Sequence, residues 1–302
     1  MKALVISGGG SKGAFAGGVA QYLMQEEGRD YDIFLGTSTG SLLAPHLALK
    51  EFDRLYENYA NVNQRTIFSV NPFIKKKRGN REFIGINHFN VLWQFLKGKR
   101  TFGESKNLRK LIKRTFTRAD FNLLRQSPKK VAVAVSNLSL NQTEMKDLSN
   151  YTYDEFCDWV WISCNYVPFM SLVVKNECEY ADGGLSCSIP IKEAINMGAT
   201  EIDAIILETE KDVTKRTPGK NPFSLMMSLY DYVLDQMEHN DVLIGKLAAE
   251  NKHVKLNLFY TPTKLTDNSL IFNKVQMKQW WHDGFSYAKE KCQKAAMNKL
   301  KL

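Results

Sequence analysis

The sequence contains no long hydrophobic run. No stretch approaches the roughly 18 apolar residues that a membrane-crossing helix requires. At the N-terminus, Lys2 precedes only Ala3, Leu4, Val5 and Ile6 before glycines begin, which is too short for the apolar core of an export signal. The expectation is a cytoplasmic chain, peripheral at a membrane if it meets one. Cysteine is scarce as well. The five residues Cys157, Cys164, Cys178, Cys187 and Cys292 leave one over in any disulfide scheme, and no close Cys-x-x-Cys pair or Cys/His cluster offers a zinc site. Reduced thiols and no bound metal are expected. A D-x-D-x-D-G loop is missing, so activity is expected to be independent of calcium, and no cofactor is implied. Proline- or Gly/Ser-rich linkers, low-complexity tracts and internal repeats are missing too, so residues 1–302 are read as one domain.

What remains is an ordinary globular composition, 44% hydrophobic and 24% charged, with a net charge of +9. A basic balance suits an anionic partner: a membrane surface, an acidic substrate or nucleic acid. It does not choose among them.

Hydrophobic periodicity gives the order of elements. Ala3 to Ile6 reads as a buried strand, Gly8 to Gly13 as a glycine loop, and Ala14 to Glu26 as a helix. Ile33 to Leu35 is a second strand, Gly36 to Gly40 a sharp turn, and Ser41 to Lys50 a helix. This alternation points to an α/β fold with a mostly parallel sheet and helices on its faces. Further strands are expected at Val131 to Val135, Leu172 to Val174, Ile202 to Leu207 and Val254 to Tyr260. Helices are expected at Trp159 to Cys164, Ile191 to Met197, Pro222 to Glu250 and Val275 to Lys299. Residues 66–103 read as an irregular insertion. Lys75, Lys76, Lys77 and Arg78 form a basic cluster there, and scattered Phe and Trp residues are broken up by glycine and asparagine. Such a segment suits a lid, an anionic lipid interface, base stacking or a plain solvated face.

Three motifs carry chemistry. Gly36-Thr37-Ser38-Thr39-Gly40 matches G-x-S-x-G, in which a nucleophilic serine sits on a strained strand-to-helix turn with small neighbours. Gly8-Gly9-Gly10-Ser11-Lys12-Gly13 can turn several N–H groups on one anion. A dinucleotide site would want an acid after the second strand, but Asp32 precedes it. A Walker loop needs Gly-Lys-Ser/Thr, and here Ala14 follows Gly13. With Ser38 close by, an oxyanion hole is the better reading. Lys12 within the loop fits either attraction to a lipid phosphate or simple solvation. Asp182-Gly183-Gly184 alone would be an ordinary Asp-Gly turn, but beside the other two motifs it gains weight.

Together these three blocks resemble the signature blocks of patatin-like phospholipases, in order and spacing. The resemblance extends through Pro168, Phe169, Pro190, Gly198 and Ala199, covers the first two thirds of the chain well, and fades beyond. It implies a three-layer α/β/α sandwich and a lipid acyl-ester hydrolase of phospholipase A or lysophospholipase type. It makes Ser38 the nucleophile and Asp182 its partner in a catalytic dyad, with backbone N–H groups at Gly9 and Gly10 helping to bind the oxyanion. The partner would be a phospholipid or other acyl-ester lipid, with peripheral contact to an anionic membrane and no nucleic acid. One departure is the stretch Ser163-Cys164-Asn165-Tyr166-Val167, where the family has small residues. Three alternatives stand beside this reading: acyl transfer on the same dyad, a binding module for anionic ligands, and a Ser-Asp-His triad drawing on His239, His253 or His282.

Overall fold

The computed structural model describes residues 1–78, 81–210 and 222–299. In chain order the elements are β1 (Lys2–Ile6), α1 (Gly13–Gln21), β2 (Ile33–Thr37), α2 (Thr39–Ala48), α3 (Phe52–Ala60), α4 (Gln64–Ile67), β3 (Phe73–Arg78), β4 (Arg81–Ile86), α5 (His88–Leu96), α6 (Lys106–Thr115), α7 (Arg118–Gln126), β5 (Lys130–Asn137), β6 (Gln142–Asp147), α8 (Tyr153–Ser163), β7 (Val173–Lys175), β8 (Cys178–Asp182), α9 (Ile191–Asn196), β9 (Glu201–Ile206), α10 (Pro222–Asn251), β10 (Lys255–Tyr260) and α11 (Lys274–Lys299). A π-helical turn, Tyr22–Glu26, extends α1.

Among the described residues eight strands form one sheet, in the order β10-β9-β1-β2-β5-β8-β7, with β6 also paired to β5. The first five run parallel, whereas β8 and β6 lie antiparallel to β5. Side chains alternate across this sheet, so each inner strand feeds two cores. Leu4, Ile6, Phe34, Val133 and Ile205 join the larger core, under α1, α2, α8 and α11. Ala3, Val5, Leu35 and Ile202 join the smaller one, under α9 and the Val242 turn of α10. Burial on both faces explains why β1 and β2 read as unbroken apolar runs. The result is an α/β/α sandwich.

Residues 66–103 differ from expectation. Among the described residues they form an antiparallel pair of strands, β3 with β4, followed by α5. The asparagines that interrupt the hydrophobic pattern are boundary markers instead of breakers. Asn71 Oδ1 accepts from Phe73 N–H where β3 begins, and Asn87 Oδ1 accepts from Asn90 N–H as the cap of α5. Helix α5 is inverted: Gln94 is buried, while Phe89, Leu92, Trp93, Phe95 and Leu96 face outward. Leu225, Leu229, Tyr232 and Val233 on α10 keep their expected helical spacing but are likewise exposed. No described helix is long and apolar enough to cross a membrane.

Candidate active site

β2 delivers Ser38 to the end of the sheet. The residue has φ 53° and ψ −119°, a backbone conformation that a non-glycine residue rarely adopts and that is found at strained functional turns. The turn is possible because Gly40 presses against β1. A Cβ there would lie 2.3 Å from the carbonyl oxygen of Ile6. Helix α2 begins at the next residue and points its N-terminus at the Ser38 hydroxyl, which favours negative charge at that point.

Asp182 reaches the same place from β8. β5 lies between the two strands and fixes their offset: Thr37 is registered with Ala134, and Asp182 with Val135. Ser38 Oγ donates to Asp182 Oδ2 at 2.7 Å. Asp182 Oδ1 accepts the N–H of Gly184 at 2.8 Å. The carboxyl is 2% exposed. Burial pushes its pKa up to about 7, against the opposing pull of the hydrogen bonds from Ser38 and Gly184.

The glycine loop lies beside Ser38. A Cβ on Gly8 would come within 3.3 Å of Ser38 Cβ. Its N–H groups have separate fates. Gly8 donates to Ser188 O, Ser11 to Ser269 O and Lys12 to Gly9 O, and Gly13 donates into the short 3-10 turn Gly10–Lys12. Among the described residues, the N–H groups of Gly9 and Gly10 donate to no protein acceptor. The six-residue loop therefore narrows to two available donors, and the other four are engaged in holding its shape. Gly10 has φ +54°, and Ser269 packs where a Cβ would go.

Lys12 is neither solvated nor open to a ligand phosphate: its ammonium is paired with Glu208 and is buried. Glu238 lies close to this pair. Burial raises its pKa to about 8, with the neighbouring Glu208 charge adding to the shift. Thr37 and Thr39 support the elbow, Thr37 through the carbonyl of Cys187 and Thr39 through Tyr59. Gly183 packs where its Cβ would meet the Ala134 carbonyl. No histidine among the described residues hydrogen-bonds to Ser38 or Asp182; His239 lines the surrounding cavity, and His282 bonds to Tyr56.

The divergent stretch after α8 takes a part that the sequence did not reveal. Ser163 Oγ accepts the N–H of Ser38, the Cys164 thiol donates to Ser38 O, and Asn165 O accepts the N–H of Asp182. Three consecutive residues thus brace both halves of the Ser-Asp pair. Their only sequence signal was their place just before Pro168. The five cysteines are free, and no described cluster of His, Cys, Asp or Glu could hold a metal ion.

Around Ser38 opens a cavity of about 1140 Å³. One side is apolar, between α2, α3 and α6. The other is polar and carries Glu208, Ser188 and His239.

The chain is similar to known proteins in part. An uncharacterised protein of Acanthamoeba polyphaga mimivirus, L620, is 45% identical over 62 residues, which span 18% of this chain and 17% of the viral one. The crystal structure of VipD from Legionella pneumophila aligns with 96% of this chain and 66% of its own, at 15% identity and a TM-score of 0.44. The chain thus spans less than two thirds of either protein. The family profile described as patatin-like phospholipase matches residues 4–195, which include the elbow, the glycine loop and the Asp turn. The chain belongs to the patatin-like phospholipase family.

Proposed function

We propose that this protein hydrolyses acyl esters of lipids, in the manner of a phospholipase A or lysophospholipase, through an acyl-enzyme on Ser38. The observation that carries the reading is the 2.7 Å hydrogen bond from Ser38 Oγ to a buried Asp182 whose pKa is raised to about 7. A carboxylate at its ordinary pKa near 4 is a weak base; one raised toward neutrality is far better matched to a serine hydroxyl.

Asp182 takes the hydroxyl proton as Oγ attacks the ester carbonyl. Negative charge develops on the carbonyl oxygen and is met by the Gly9 and Gly10 N–H groups and by the N-terminus of α2. Collapse of the tetrahedral species expels the alcohol, which takes the proton back from Asp182. Water then repeats the sequence and releases the fatty acid. No metal enters the scheme.

The test is covalent labelling by a fluorophosphonate probe together with turnover of p-nitrophenyl acyl esters. Wild-type protein should be labelled at Ser38 and should turn over the ester. Ser38→Ala should lose both, and Asp182→Asn should lose turnover by about 10⁴-fold. Full activity in either variant would refute the assignment.

The substrate lies in a bilayer, and the inverted α5 supports contact with an anionic one. Its outward apolar face is flanked by Lys97, which lies over the Trp93 ring at 5.0 Å, and the sequence shortly before it carries Lys75, Lys76, Lys77 and Arg78. Apolar side chains with adjacent lysines match an acyl boundary under anionic headgroups.

A further inference from the structure

The apolar side, or arm, of the Ser38 cavity is formed by three segments of the chain. On α2 and its cap it is lined by Ser38, Thr39, Leu42, Pro45 and His46, a spacing of three and four that makes one helix face. Helix α6 and its C-cap contribute Leu108, Ile112 and Phe116, again one face, and α3 with the turn after it contributes Leu55, Tyr59 and Val62. The wall residues Leu55, Ile112 and Phe116 are buried, at 1%, 3% and 2% exposed.

Contacts at two ends relate α2 to α6. At the near end Ser105, the cap of α6, is hydrogen-bonded to Asn165, which in turn holds the Asp182 backbone. At the far end the rings of His46 and Phe116 meet edge to face at 5.9 Å. Both Ser38 to His46 and Leu108 to Phe116 are steps of eight residues. At 1.5 Å per residue each spans ~12 Å. The stop is polar as well as bulky, because the Glu51 carboxylate stands 3.6 Å behind His46 Nδ1.

We propose that this arm is a binding site for a medium-length acyl chain, with the His46–Phe116 pair as its end stop. A zigzag of 1.52 Å bonds at tetrahedral angles advances ~1.25 Å per carbon, so ~12 Å holds an extended chain of about ten carbons with its carbonyl at Ser38. Each methylene up to that length gains apolar contact, and each one beyond it must bend or displace a ring. The inference rests on the hydrolase reading of Ser38.

The experiment compares p-nitrophenyl butyrate, octanoate, decanoate, myristate and palmitate below their critical micelle concentrations. kcat/KM should climb tenfold or more from butyrate to decanoate, then fall for myristate and palmitate. Phe116→Ala should move the maximum to myristate, and Leu42→Phe, one turn from the nucleophile, should move it below decanoate. Either shift supports the gauge if the other variant fails to fold. A wild-type rate that keeps climbing through palmitate overturns the gauge and leaves the hydrolase reading intact. Absence of turnover with every ester overturns that reading instead. In that event calorimetric binding of free octanoate, decanoate and myristate still reads the arm: affinity that levels off at decanoate upholds it, and affinity that continues to rise with myristate overturns it.

Discussion

At the scale of single residues, the proposed chemistry depends on how burial changes one carboxyl. Asp182 accepts two hydrogen bonds, and its pKa still stands near 7, because desolvation outweighs them. Activity that needs its ionised form should rise with pH through about 7, which a kcat/KM profile of a neutral ester measures. The same shift has a cost in stability. The folded pKa lies above the unfolded value, so stability is full below about pH 4 and falls as pH climbs through about 7. Asp182→Asn removes that charge. It should therefore stabilise the fold by up to about 4 kcal/mol at alkaline pH while abolishing turnover. Denaturant melts at pH 5 and pH 9 check this; an equal effect at both would refute it. Ser38 was legible in the sequence because its neighbours must be small. Asp182 was legible only in company, since Asp-Gly also marks ordinary turns. Ser163, Cys164 and Asn165 stood out only as a departure before Pro168, and their bracing roles were not legible. Their roles depend on hydroxyl, thiol and carbonyl directions that nothing in a sequence encodes.

At the scale of elements, the elbow depends on two chain segments approaching without side chains between them. Gly40→Ala would drive a Cβ to 2.3 Å from the Ile6 carbonyl. The variant should lose roughly 1–3 kcal/mol of stability and most of its labelling by a fluorophosphonate. A thermal melt and a probe gel on one sample check both. The outward face of α5 carries a separate expectation. The double variant Leu92→Asp/Trp93→Asp should keep the wild-type melting temperature, because both residues are half exposed or more. It should also lose co-sedimentation with vesicles rich in phosphatidylglycerol. Wild-type binding that is equal on neutral phosphatidylcholine vesicles would refute the part given to charge. Strands buried on both faces announced themselves as apolar runs. The paired strands β3 and β4 did not. They lie outside the main sheet and lack a clean alternation, and asparagine serves equally well as a cap and as a breaker. Helix α10 was read correctly as a helix, but periodicity alone does not say which medium an apolar stripe will face.

At the scale of the whole molecule, Asp182, Asp241 and Glu238 all have raised pKa values, to about 7, 6 and 8, and burial is the leading cause in each case. Each takes up protons more readily folded than unfolded. Global stability should therefore decline as pH rises from about 5 to about 8. Carboxylates held low by ion pairs, such as Asp120 beside Arg54, stay ionised across that window and add no slope. A melting temperature that rises over the same interval would contradict this account. The last third of the chain, where motifs run out, supplies β9, β10, α10 and α11 to the same sheet and cores. Its contribution was legible as elements but not as neighbours of the glycine loop, because Ser269 and Glu208 touch that loop across long stretches of sequence.

The Ser-Asp pair joins residues 144 positions apart, and the second of them arrives on a strand that runs against its neighbour. A ribosome therefore releases the elbow long before the acid. Until β8 inserts beside β5, the serine has no proton acceptor. On the proposed mechanism the nascent chain thus lacks its Ser-Asp pair, which forms only when the late strand docks.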